Sequence, residues 1–244
     1  MENVNFLNYK LLVTSVENLS NSLIRSAIDK TYLTLNFSAA HGFVEAEQQP
    51  ELKQIFKSDI LISDGFPLTK YLKFKNPKFE QVRGIDFMRE TLYRSPKVIS
   101  HFFLGSTIKN LEKIVEKAKI INPNISIAGT YSPNFSGSWF SDLPDWKKII
   151  QESKADIVWI GMGAPKQFFI ANILSTDHKF CTVSVGAAFD FFAETKSEAP
   201  LILRQLGLEW LFRLMSEPRR LFKRYLIGNI KFFKLIIKDF CHKI

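Results

Sequence analysis

Short apolar runs, rich in β-branched residues and closed by glycine, proline or a small polar residue, alternate with segments of helical periodicity from residue 9 to residue 185. Strands are expected at 9–13, 32–37, 59–62, 99–104, 125–128, 156–160 and 180–185. Helices are expected over 18–28 and 39–47, from Pro50 to the strand at 59, and over 68–72, 87–93, 109–121, 146–152 and 166–174. Asp86 reads as the cap of the helix at 87–93, and Pro165 fits the first position of the helix at 166–174. Such alternation argues for an α/β fold: a Rossmann-like, mostly parallel sheet with helices on both faces. The loop at 131–144, rich in Ser, Pro, Asn and Gly, is long enough to suggest a function of its own.

The 244 residues suffice for a large core, and the net charge of +9 points to an anionic partner. That charge is local. From Arg213 to Ile244 there are nine Lys or Arg and two acids, so the tail carries most of it. Residues 217–240 hold no strand signal. On a helical projection Leu221, Phe222, Tyr225, Leu226, Phe232, Phe233, Ile236, Ile237 and Phe240 share one face, and Arg220, Arg224, Lys231, Lys234 and Lys238 the other. Gly228-Asn229 is a place where this helix could break. Two readings stand side by side: a membrane-surface helix, or a terminal helix docked on the core with a solvated basic face. The division is therefore an α/β domain over 1–205 and a basic amphipathic helical appendage over 206–244. No uncharged run approaches the ~18 residues of a spanning helix, the N-terminus has no signal-peptide pattern, and two distant cysteines suit a reducing compartment.

The stretch Leu61-Ile62-Ser63-Asp64-Gly65-Phe66-Pro67 places Asp64 at the carboxyl end of a strand, the edge at which ligands bind in open α/β sheets. A carboxylate there can accept a proton from a substrate hydroxyl, although Asp-Gly is equally a common turn pair. The turn Gly161-Met162-Gly163-Ala164-Pro165 lacks the third glycine of a dinucleotide fingerprint. It still delivers backbone N–H groups and a helix N-terminus, an anion site that Lys166 and Gln167 can reach; the plainer reading of Gly161 and Gly163 is close strand–helix packing. No Asp-x-Asp pair stands at a strand end, and His41, His101, His178 and His242 have no ligand spacing, so no metal site or cofactor is expected. Neither a Gly-x-Ser-x-Gly elbow nor a P-loop is present. Nucleic-acid binding ranks low because the basic charge sits on one apolar-faced helix without a reader motif.

Eight motifs taken together, "TLNFSAAH", "DILISDGFP", "VRGIDF", "FFLGS", "YSPNF", "DIVWIGMGAPKQ", "VSVGAAFDFFA" and "GLEWLFRLMSEPRRLFKRYLIGN", resemble the WecG/TagA/CpsF glycosyltransferases (glycosyltransferase family 26) in order from Leu33 to Asn229. The resemblance implies a bacterial, inverting, metal-independent enzyme. It would move an N-acetylmannosamine-type sugar from a UDP-sugar to an undecaprenyl-diphosphate-linked acceptor, at the inner face of the cytoplasmic membrane, for teichoic acid, common antigen or capsule. It implies Asp64 as general base, and Thr34 and Asn36 as positioning residues. Arg83, Gly161, Gly163, Lys166, Gln167 and Asp190 would bind substrate. Arg213, Arg220 and Arg224 of the appendage would meet the lipid diphosphate. Three positions depart from the family's usual pattern: Phe168 stands where Glu is common, Glu194 where Gly is common, and Glu198 where Arg is common. They motivate a rival expectation, a nucleotide-sugar-binding α/β protein without transfer activity.

Overall fold

The computed structural model describes residues 2–133, 139–176 and 179–241, with the side chains at 139–142, 144, 220, 223 and 224 left aside. The elements in chain order begin β1 (Asn3–Phe6), β2 (Tyr9–Leu12), α1 (Val16–Ile28), β3 (Thr34–Ser38), α2 (Ala40–Ala46), α3 (Pro50–Ser58), β4 (Ile60–Ser63), α4 (Phe66–Lys75) and α5 (Gly84–Arg94). They continue β5 (Ser100–Gly105), α6 (Ile108–Ile121), β6 (Ser126–Tyr131), α7 (Trp139–Ser153), β7 (Ile157–Gly161), α8 (Lys166–Ser175), β8 (Cys181–Ser184) and α9 (Ala188–Phe192). Three helices close the chain: α10 (Leu201–Gln205), α11 (Glu209–Ser216) and α12 (Pro218–Cys241). The fold is α/β, as the alternation predicts, and the chain forms two compact units.

One unit comprises Thr14–Phe37 and Val82–Lys196. Its strands run in the order β3-β8-β7-β5-β6, all parallel. Period-two alternation sends Phe102, Leu104, Val158 and Ile160 to one face, where they pack with Trp146 of α7 and Ile170, Ala171 and Leu174 of α8. The intervening residues serve the other face: Trp159 meets Phe87 of α5, and Phe103 meets Phe189 of α9. Strands buried on both faces are the physical reason these runs are apolar throughout. His101 is enclosed on that second face. Trp159 Nε1 donates to its Nδ1 at 3.0 Å, so its Nε2 carries the proton toward Ser95 Oγ, 2.7 Å away. Burial pushes this imidazole down to about 3.

The other unit comprises Met1–Val13, Ser38–Gln81 and Ser197–Ile244. Here β1 pairs antiparallel with β2, and β2 parallel with β4. Phe6, Tyr9, Phe43 and Phe56 form an aromatic core of edge-on contacts, and Phe232 of α12 joins it against Phe6.

Several boundaries differ from the sequence reading. β1 is an addition: Asn3-Val4-Asn5-Phe6 buries only alternate residues, a pattern too short to stand out as a strand. α7 begins at Trp139, inside the stretch expected as loop, while residues 134–138 of that loop lie outside those described. Asp86 does not cap α5. Arg83 holds the N-cap position, and Asp86 sits in the first turn with its carboxylate 3.0 Å from Arg83 Nη1. Pro165 is the N-cap of α8 rather than its first helical residue. α12 runs through Gly228-Asn229 as one 24-residue helix.

Candidate functional site

In the Thr14–Phe37 and Val82–Lys196 unit, Asn36, Gly161, Gly163, Lys166 and Gln167 lie at or just beyond the carboxyl edge of the parallel strands, Arg83 and Asp190 stand at the starts of α5 and α9, and Thr34 opens β3 at its amino end. Thr34 stands opposite Thr182, which donates a hydroxyl hydrogen bond to it at 3.1 Å, and Asn36 stands opposite Ser184 with no exposed surface. Next along the sheet, β7 ends in Gly161 level with Gly105 of β5.

The two glycines of the turn after β7 have different reasons. A Cβ on Gly161 would lie 2.3 Å from the Phe189 ring, so the plain packing reading holds there. Gly163 has φ +77° and open space where a Cβ would go, so conformation rather than packing demands it. From that turn α8 begins. Lys166 points its ammonium over the Trp146 ring, 6.0 Å from the centroid. Gln167 is 3 % exposed, and its Oε1 has no hydrogen-bond partner among the described residues. An acceptor left so costs about 1–3 kcal/mol. Gly186, at φ +56°, lies so near that a Cβ there would be 2.9 Å from that oxygen.

Asp190 lies in the first turn of α9. Asn110 Nδ2 donates to its Oδ1 at 3.0 Å and Lys196 Nζ pairs with its Oδ2 at 2.9 Å. Arg83 precedes α5 with its guanidinium mostly enclosed and paired to Asp86. The next residue, Gly84, packs so close to Val185 that a Cβ would sit 3.4 Å from that carbonyl oxygen.

Asp64 belongs to the other unit, directly after β4 and half-buried. Its backbone is held from two sides: its N–H donates to the Ser38 carbonyl at 3.2 Å, and its carbonyl accepts from Gln81 Nε2 at 2.6 Å. Gly65 behind it fits against Ala39, where a Cβ would come within 3.0 Å. Arg213, in the same unit, is half-buried on α11. Arg220 and Arg224 fall on α12, and their side chains lie outside the described residues. So do His178 and His242. Among the described residues, no group of three or more His, Cys, Asp or Glu gathers in a way that could hold a metal ion.

The tail face that the helical projection drew as one stripe is divided. Leu221, Phe232 and Asp239 are buried, whereas Phe222, Leu226, Ile230, Phe233, Ile237 and Phe240 are exposed. Asp239 accepts from Leu7 N–H and Tyr71 Oη and pairs with Lys75. On the flank, Lys238 lies 3.3 Å from Glu47 and Lys231 Nζ 3.2 Å from Gln48 Oε1. The helix is therefore docked and also presents an apolar face. Among the described residues no helix is long and apolar enough to cross a membrane.

The three departures each have a place. Phe168 is fully buried on α8. Glu194 takes the left-handed conformation at φ +52° that a glycine would take without strain, with its carboxylate on Lys117. Glu198 pairs with Arg204 at 3.4 Å.

Sequence reasoning missed Asn110, Gly186 and Gln81. Gly186 follows directly after a strand in "VSVGAAFDF", a readable signal. Asn110 and Gln81 are polar residues far along the chain from what they hold, and nothing local marks them.

A glycine turn and a helix N-terminus at the carboxyl edge of a parallel α/β sheet form an arrangement that can receive an anionic group. The chain belongs to the glycosyl transferase WecG/TagA/CpsF family, which matches residues 4–243, and is a glycosyltransferase. It is 28% identical over 206 residues to a Bacillus spizizenii protein, covering 80% of this chain and 78% of that one. It is 27% identical over 223 residues to a Bacillus subtilis protein, covering 90% and 84%. Both relatives are named N-acetylglucosaminyldiphosphoundecaprenol N-acetyl-beta-D-mannosaminyltransferase.

Proposed function

We propose that this glycosyltransferase moves a sugar of N-acetylmannosamine type, or a related hexose or uronic acid, from a UDP-sugar to an undecaprenyl-diphosphate-linked acceptor, with inversion and without a metal, in bacterial surface polysaccharide synthesis. The single observation that carries most weight is the strand-edge cluster: an open glycine turn at the start of α8, with Gln167 buried beside it and its carbonyl oxygen without a partner among the described residues. A helix N-terminus and an orphan acceptor suit a donor that carries both phosphate and hydroxyl or amide groups. The names of both relatives support the acceptor class.

In this mechanism Asp64 accepts the proton of the acceptor hydroxyl while that oxygen bonds to the anomeric carbon. The bond from that carbon to the β-phosphate oxygen breaks, and UDP leaves with the electron pair. The growing charge is met by the N-terminus of α8, Lys166 and Arg83, and by Arg213, Arg220 and Arg224. Thr34 and Asn36 position the sugars, and Asp190, oriented by Asn110, holds a donor hydroxyl. Residues 206–244 act as an appendage to a catalytic domain over 1–205. Its exposed apolar stripe rests on the inner face of the cell membrane, which concentrates enzyme and lipid acceptor in two dimensions.

The test is UDP release from a panel of UDP-sugars, with and without a short-chain N-acetylglucosaminyl-diphosphoryl lipid, followed by NMR of the anomeric coupling in the product. One donor should release UDP only with acceptor present, and the product should carry the inverted anomer. Tight UDP binding with no release from any pair would favour the sugar-nucleotide-binding reading that Phe168, Glu194 and Glu198 motivate.

A further inference from the structure

We infer that the carboxyl end of α4 is a second contact with an anionic lipid surface, made by Phe74 set among Lys70, Lys73 and Lys78; it rests on the membrane reading above and adds an element outside the appendage. Phe74 is 80% exposed, while Leu68, Leu72 and Phe79 around it are buried. The inner face of α4 is thus already satisfied, and the core does not need this ring. Residues 65–79 hold four lysines and no acid. Lys70, Lys73 and Lys78 are exposed, whereas Lys75 is consumed by its pair with Asp239. An aromatic ring surrounded by cations suits an interface with acidic headgroups above and acyl chains below, where each side chain meets its preferred medium.

The same pair fixes where this contact lies. Tyr71 and Lys75 both engage Asp239, two residues from the exposed Ile237 and adjacent to the exposed Phe240. The end of α4 and the last turns of α12 are therefore pinned together, so a membrane bound by the tail helix lies close to Phe74. α4 has 10 residues and starts two positions after Asp64. At about 1.5 Å per residue, the proposed base stands about 15 Å along the helix from the lipid contact. Two contacts on rigidly joined elements would fix the tilt of this unit on the membrane, which a single helix lying on the surface leaves free to roll.

The experiment is co-sedimentation of the full chain with vesicles of phosphatidylglycerol and phosphatidylcholine, and with phosphatidylcholine alone. Three variants are compared: Phe74→Ser, the pair Lys70→Glu with Lys73→Glu, and the tail pair Phe233→Ser with Ile237→Ser. All these side chains are exposed, so circular dichroism and thermal melting should match the wild type. Phe74→Ser should weaken binding to the anionic vesicles about fivefold, and the lysine pair by more than tenfold, the lysine pair with little change on neutral vesicles. Loss of binding in the tail pair with none in the α4 variants would overturn the inference and leave the membrane reading standing. Absence of vesicle binding by the wild type would overturn both. If Phe74→Ser instead dissolves a self-association seen by ultracentrifugation, with vesicle binding unchanged, the ring packs on a second copy and the inference fails.

Discussion

Gly161 and Gly163 stand two residues apart in one turn and answer to different forces, which separates their expected mutants. Gly161→Ala drives a methyl into the Phe189 ring and should lower stability by about 2 kcal/mol in urea unfolding. Gly163→Ala meets open space and only the cost of φ +77°, about 1 kcal/mol, but its methyl enters the space where a phosphate would approach. Its main effect should be a raised donor KM in steady-state kinetics. Glu194 offers the reverse case. Its left-handed backbone carries strain, and its pair with Lys117 is largely solvated. Glu194→Gly should leave stability unchanged or raise it by up to about 1 kcal/mol, measured by the same unfolding curves. His101 should keep the NMR shifts of a neutral imidazole down to pH 4, since its folded pKa is pushed down to about 3. The unfolded chain binds that proton near pH 6.5, so this residue's contribution to stability is present above that pH and is lost as pH falls toward 3. At this scale the position of Asp64 at the end of a strand was legible, because an apolar run ended in Asp-Gly. Asn110, 80 residues from the Asp190 it orients, was not, because only the fold makes them neighbours.

At the scale of elements, periodicity located the strands and most helices because burial on both faces writes an uninterrupted apolar run. β1 escaped for the opposite reason: Asn3 and Asn5 face outward, and only Val4 and Phe6 are buried. α12 shows what a helical projection can and cannot say. It found the apolar half, yet it could not separate the part that docks from the part that stays exposed, because Leu221 and Phe222 look alike until a partner surface is present. Nor could it mark Asp239, whose partners at Leu7, Tyr71 and Lys75 come from distant parts of the chain. Burial pushes the Asp239 carboxyl up, but the hydrogen bonds from Lys75, Tyr71 and Leu7 outweigh it and hold the group below the usual carboxylate range. Glu47 is likewise held down, against the effect of burial, by Tyr9, Lys53 and Lys238. For such acids the stabilisation is present above the ordinary carboxylate pKa, near 4, and is lost as pH falls through the lower folded value. The urea midpoint should therefore drop steeply below pH 4. Asp239→Asn should flatten that drop while costing about 3 kcal/mol at pH 7, because Lys75 is left buried without its counter-charge.

At the scale of the whole molecule, the order of strands and helices and the glycine turn were readable from sequence, and the family followed from motifs in register. What sequence could not supply was the division into two compact units, each assembled from separate stretches of chain. That division assigns Asp64 and the tail arginines to one unit and the glycine turn, Gln167 and Asp190 to the other. Asp64 as the base that takes the acceptor proton is tested most directly by comparing acceptor-dependent UDP release by the wild type and by Asp64→Asn at matched thermal stability. Loss of a general base predicts a fall in kcat of about 10²–10⁴-fold with UDP binding retained. Near-normal turnover in a correctly folded Asp64→Asn protein would contradict this role and move the base elsewhere.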